Sequence, residues 1–173
     1  MTSLPRVTEH TRERVAREFD DLGPAACVAE ITEDLASNNP ELLDIAGRCA
    51  ADIGEPALTM AGFCMFYRLL TAQSTQDLSK PQGGPLLSGP FLSPLPRVTR
   101  ATRDSMTAEL DARGAESFTM RYIDALEQHN PALVQMAHNF ASRESNYVAI
   151  MEAIALMWAA LLAQASADRT YLQ

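Results

Sequence analysis

LPRVT stands at residues 4–8 and again, letter for letter, at residues 95–99. Extended outward from that pair, residues 4–78 align without a gap on residues 95–169, at a constant offset of 91. Of the 75 aligned positions, 21 are identical. Ordinary composition gives roughly 6% identity by chance, so the chain reads as an internal duplication. Asn39-Pro40 recurs as Asn130-Pro131, and Gly23 recurs as Gly114. A long period used only twice points to a duplicated subdomain rather than a solenoid, which needs three or more shorter units. The organisation expected is a helical repeat over residues 1–78, a linker over 79–94 and a second repeat over 95–173, packed as one globular domain.

Each repeat reads as four helices, because apolar residues recur at helical spacing and no stretch alternates with period two. The first helices are expected over 8–22 and 99–113. Thr8 and Gly23 serve as start and stop in the first copy, Thr99 and Gly114 in the second. The second helices are expected over 24–38 and 115–129, and the third over 40–53 and 131–144. Asn39 and Asn130 read as N-caps, with Pro40 and Pro131 at the first helical position. Proline also drives the preceding residue out of the α region, so each Asn-Pro is a sharp corner between helices.

The fourth helices, expected over 56–76 and 146–167, are the most apolar. YVAIMEAIALMWAALLAQA, residues 147–165, is apolar almost all round. Its length is at the lower edge of a membrane span. The reading preferred is a pair of helices buried at the centre, because the matching segment carries Arg68 and the small residues Ala57, Ala61 and Gly62. The fold class is therefore all-α, about eight helices in two tandem four-helix repeats related by a pseudo-two-fold axis. The linker SKPQGGPLLSGPFLSP, residues 79–94, is too rich in Gly and Pro for a regular element. Fully extended it spans on the order of 50 Å, enough to bring the copies face to face.

Composition excludes some functions. The formal net charge is −8, and both halves carry more acidic than basic residues. A nucleic-acid binder needs a basic face, so no nucleic-acid partner is expected. Residues 41–52, ELLDIAGRCAAD, set Glu41, Asp44 and Asp52 against Arg48 alone, which argues against a DNA-reading helix. The three cysteines, Cys27, Cys49 and Cys64, match Phe118, Phe140 and Ala155 in the second copy. They read as buried thiols in a reducing cytosol, with no metal-binding or redox spacing. The polar start of the chain fits a cytoplasmic location. Arginine supplies all but one of the 14 basic residues, which fits a GC-rich bacterial genome.

The residues singled out are those where one copy gained polar chemistry. Tyr67 and Arg68, in GFCMFYRLL, stand opposite Trp158 and Ala159. An arginine in an apolar helix needs a carboxylate, a bound anion or a route to water. Glu152, opposite Ala61, is a candidate partner for Arg68. His138 is a third candidate, and His129 reads as a partner of a helix C-terminus. Tyr67, Arg68, Glu152, Trp158 and His138 are thus the candidate ligand-binding residues. No catalytic, phosphate-binding or dinucleotide signature and no metal-ligand spacing is present, so no cofactor and no metal are expected. The leading expectation is a non-catalytic cytoplasmic adaptor or regulator with a protein partner or self-association, and no membrane. The alternative is a small-molecule binder with a pocket for an anionic or apolar ligand between the repeats; the third reading is a helical enzyme of new type.

Overall fold

The computed structural model describes residues 4–54, 56–79, 95–142 and 147–172. The described residues are all-α, with eight helices and no strand. In chain order they are α1 Glu9–Leu22, α2 Pro24–Asn38, α3 Pro40–Ile53, α4 Pro56–Ser79, α5 Arg100–Arg113, α6 Ala115–His129, α7 Pro131–Ala141 and α8 Tyr147–Leu172. Most of the linker, with Leu86, Leu87, Phe91 and Leu92, lies outside the described residues.

Local chemistry sets the boundaries. Thr8 and Thr99 stand in extended backbone, and each side chain accepts from the amide three residues on, Thr11 and Thr102. That satisfies one of the orphan donors of a first turn. Gly23 ends α1 and starts α2 at φ 86°, and Gly114 does the same between α5 and α6 at φ 92°. A side chain at either place would be strained. Three elements differ from expectation: α4 runs on to Ser79 rather than residue 76, and the other two are α7 and α8. Helix α7 ends at Ala141 rather than residue 144, and α8 begins at Tyr147 and runs to Leu172.

The helices pack around one hydrophobic core. Leu35, Leu42 and Leu70 are completely buried, as are their matches Leu126, Leu133 and Leu161. Within each half the fourth helix packs on the other three. Between halves, α3 packs on α8 and α5, while α7 packs on α4 and α1. The long apolar helices α4 and α8 meet where Phe66 stands edge-on to Trp158, with ring centroids 6.3 Å apart. Tyr147–Arg169 is long and apolar enough to cross a membrane, yet 72% of its most apolar window is buried inside the fold.

Asn39 and Asn130 do not cap helices with their side chains. Each reaches instead into the other half. Asn130 Oδ1 accepts from the Val7 amide at 2.8 Å, and its Nδ2 donates to the Pro5 carbonyl at 2.7 Å. Asn39 Oδ1 accepts from the Val98 amide at 2.9 Å, and its Nδ2 donates to the Pro96 carbonyl at 2.9 Å. Both residues stand at the N-cap position as expected, but these clamps replace the side-chain capping bond. The extended Pro-Arg-Val segments carry backbone groups with no helical partner, and the buried amides satisfy them.

Candidate functional site

A polar cavity lies between α1, α2 and α4, with a volume of about 260 Å³. Glu18 comes from α1. Cys27, Glu30, Ile31 and Asp34 come from α2. Tyr67, Arg68 and Thr71 come from α4. The i, i+4 spacing of Glu30 and Asp34 puts both carboxylates on one face of α2. Positions 67, 68 and 71 fall on one side of α4 for the same reason.

Arg68 is neutralised inside this cavity. Its Nε donates to Glu18 Oε1 at 3.0 Å and its terminal nitrogen to Oε2 at 3.1 Å, a two-point grip on the carboxylate. The anticipated Glu152–Arg68 pair is not formed. Glu152 lines a different cleft of about 320 Å³ with Cys49, Asp52, Leu110 and Leu156. An anionic ligand at Arg68 therefore competes with a carboxylate already in place.

Tyr67 is 2% exposed, and its hydroxyl makes no hydrogen bond among the described residues. Burial first, and then the Asp34 carboxylate, push the phenol above its ordinary value, so it stays protonated. Burial, reinforced by Glu18 and Glu30 against Arg68, likewise raises the Cys27 thiol. Cys49 rises from 9.0 to about 11. Cys64 rises through burial, opposed by a hydrogen bond with Thr32. Thiols raised in this way are poor nucleophiles at neutral pH. Among the described residues no group of three or more His, Cys, Asp and Glu could hold a metal ion.

The five candidates from the sequence fall in four places. Tyr67 and Arg68 share the cavity just described. Trp158 lines another, of about 340 Å³, with Leu4, His129, Asn130, Leu162, Ala165 and Arg169. Its Nε1 is buried without a hydrogen-bond partner. Glu152 occupies the third cleft. His138 stands on α7, hydrogen-bonded through Nδ1 to the Tyr147 hydroxyl with the rings stacked. A single pocket joining all five is not formed.

The sequence reading missed Glu18, Cys27, Glu30, Asp34 and Thr71. One signal for them was available. From Glu18 to Gly47 the chain carries eight acidic residues and no Lys or Arg. Ion pairs engage three of the eight. Glu18 meets Arg68, while Glu41 and Asp44 meet Arg103 at 2.6 and 2.8 Å. Asp20, Asp21, Glu30, Glu33 and Asp34 are exposed and form no ion pair among the described residues. The matching span of the second half, 109–138, has five acidic residues with Arg113 and Arg121 among them. Comparison with known protein families, curated proteins and solved structures gives no match.

Proposed function

We propose that this chain is a non-catalytic cytoplasmic adaptor or regulator that holds a basic protein partner on the acidic face of α1 and α2. Its frame is two tandem four-helix repeats, residues 1–78 and 95–173, related by a pseudo-two-fold axis. Support for the axis is geometric. The Asn39 and Asn130 clamps are reciprocal, and their backbone angles agree, φ −149° and ψ 60° against φ −150° and ψ 64°. Each packing of α3 on the other half has its counterpart in a packing of α7.

The observation that carries the functional reading is the division of polar residues. The amide side chains identical in both halves, Asn39 with Asn130 and Gln73 with Gln164, are buried. Asn39 and Asn130 clamp opposite segments, while Gln73 and Gln164 accept from the Thr8 and Thr99 amides at 3.1 and 3.0 Å. Gln73 and Gln164 donate in turn to Asp77 and Asp168 at 2.9 and 2.8 Å. Asp21, Glu30 and Asp34, whose counterparts are Ala112, Arg121 and Ala125, are exposed and form no ion pair among the described residues. Such a face favours a basic partner through complementary charge. Raised thiols and an internally paired Arg68 favour binding over chemistry, and free cysteines fit a reducing compartment.

The test is capture of the partner at low ionic strength by the wild-type chain and by two amide-substituted variants. Glu30→Gln with Glu33→Gln and Asp34→Asn removes charge from α2. Glu116→Gln with Asp124→Asn and Glu127→Gln removes the same number from α6. Loss of one stoichiometric partner with the α2 variant alone is the expected result. Equal recovery with both contradicts the reading.

A further inference from the structure

We infer that the cavity between α1, α2 and α4 is a recognition site for an alkylguanidinium or alkylammonium head group. Its charge comes first. Arg68 and Glu18 cancel, leaving Glu30 and Asp34 as net negative charge at the rim. Two anions at the rim of an open cavity favour a cation and repel carboxylate or phosphate ligands.

Tyr67 supplies a separate observation. Its side chain is 2% exposed and lines the cavity. Its hydroxyl has no hydrogen-bond partner among the described residues, and Asp34, on the cavity wall, acts on it electrostatically. A phenol that borders the cavity and has no partner among the described residues is free to hydrogen-bond to a group bound there. A protonated phenol can accept from an N–H donor while its ring offers a face to the positive charge.

Size narrows the class further. A volume of about 260 Å³ falls below the usual range for drug-sized ligands. It suits one linear cationic side chain or a small free amine. Guanidinium and ammonium groups present several donors to two carboxylates and one hydroxyl, whereas a bare metal ion needs ligands more closely grouped. The source of the cation rests on the partner-binding reading above; the chemistry of the cavity does not.

The experiment is a titration of the full chain followed by NMR, with the Tyr67 ring and Thr71 methyl signals as reporters. One arm uses n-butylguanidinium, and the other an acetylated, amidated Gly-Arg-Gly-Arg-Gly peptide. Both probes are expected to shift both reporters. Glu30→Gln with Asp34→Asn is expected to weaken binding about tenfold or more, and Tyr67→Phe by about threefold, as befits loss of charged and neutral hydrogen bonds respectively. Glu33→Gln, on the same face but not lining the cavity, is expected to leave n-butylguanidinium affinity unchanged. No shift of Tyr67 with either probe overturns the inference, as does equal weakening by Glu33→Gln. Peptide binding that shifts α2 signals but not Tyr67 sinks the cavity while sparing the basic-partner reading. Binding of n-butylguanidinium with exclusion of the peptide keeps the cavity, assigns it to a free amine and sinks the partner reading.

Discussion

Asn130 holds the backbone around Val7 at two points, accepting the Val7 amide at 2.8 Å and donating to the Pro5 carbonyl at 2.7 Å. These residues lie 123 positions apart in the chain, and Asn130 is 1% exposed. Asn39 does the same for Val98 and Pro96. The doubling of LPRVT and the doubling of Asn-Pro therefore have one explanation: each is the other's binding site. Arg6 and Arg97, the residues between the clamped groups, are exposed, because an extended segment turns alternate side chains outward.

Removing one clamp leaves a buried amide and a buried carbonyl without partners. Asn130→Ala and Asn39→Ala are each expected to lower unfolding free energy by about 2–4 kcal/mol, from the cost of such orphaned groups. Urea denaturation checks this. Losses below about 1 kcal/mol would mean that water replaces the amide.

Gly62 lies against the Phe140 ring. A Cβ there would sit 2.6 Å from the ring edge, so Gly62→Ala forces the ring to shift. The matching pair in the other half is Ala153, larger than Gly62, with Cys49, smaller than Phe140, and both line one cleft. The clefts correspond: Phe19, Met65 and Phe140 line one, and Leu110, Leu156 and Cys49 line the other. Gly62→Ala alone is expected to cost about 1–3 kcal/mol through overpacking. Combined with Phe140→Cys it is expected to cost less than the sum of the single changes, with a coupling of about 1 kcal/mol or more. Strict additivity in denaturation would show that the two sites pack independently.

Glu18 and Arg68 are each about one-third exposed, at 32%. Solvent screening therefore limits the pair, and Glu18→Gln is expected to cost no more than about 1 kcal/mol. A larger loss in thermal or urea unfolding would mean that Arg68 depends on Glu18 as its sole counter-charge.

The Cys49 thiol is raised from 9.0 to about 11 by burial, then by Asp52 and Glu152. A folded value above the unfolded one means that the unfolded chain ionises first. Stability from this group is complete below pH 9 and is lost as pH rises from 9 through 11. Urea midpoints measured across that window are expected to fall less steeply in Cys49→Ala than in the wild type. Parallel slopes would remove Cys49 from the pH response.

Much of the fold is legible in the sequence because helix ends are local. Thr8, Gly23, Pro40 and their counterparts place the boundaries of α1, α2, α3, α5 and α6 within a residue. The end of α7 is less legible, since residues 142–144 carry no glycine or proline stop. Long-range partners are a different matter. Asn39 satisfies every rule for an N-cap, yet its side chain serves a segment more than fifty residues away. Arg68 requires a carboxylate, but periodicity does not say which: Glu152 is the candidate the sequence offers, and Glu18 of α1 is the partner in the fold. The counterpart of Glu18 in the second half is Glu109, which accepts from the Tyr122 hydroxyl at 2.6 Å instead. The matching carboxylate thus meets a different partner in each half.

The most direct test of the reciprocal clamp is amide hydrogen exchange at Val7 and Val98, read by NMR in the wild type and in Asn130→Ala. The account predicts that both amides exchange only through global unfolding in the wild type. In Asn130→Ala, Val7 should become fast while Val98, still held by Asn39, stays among the slowest amides. Rapid exchange of Val7 in the wild type, or equal protection of Val7 in both proteins, would contradict it.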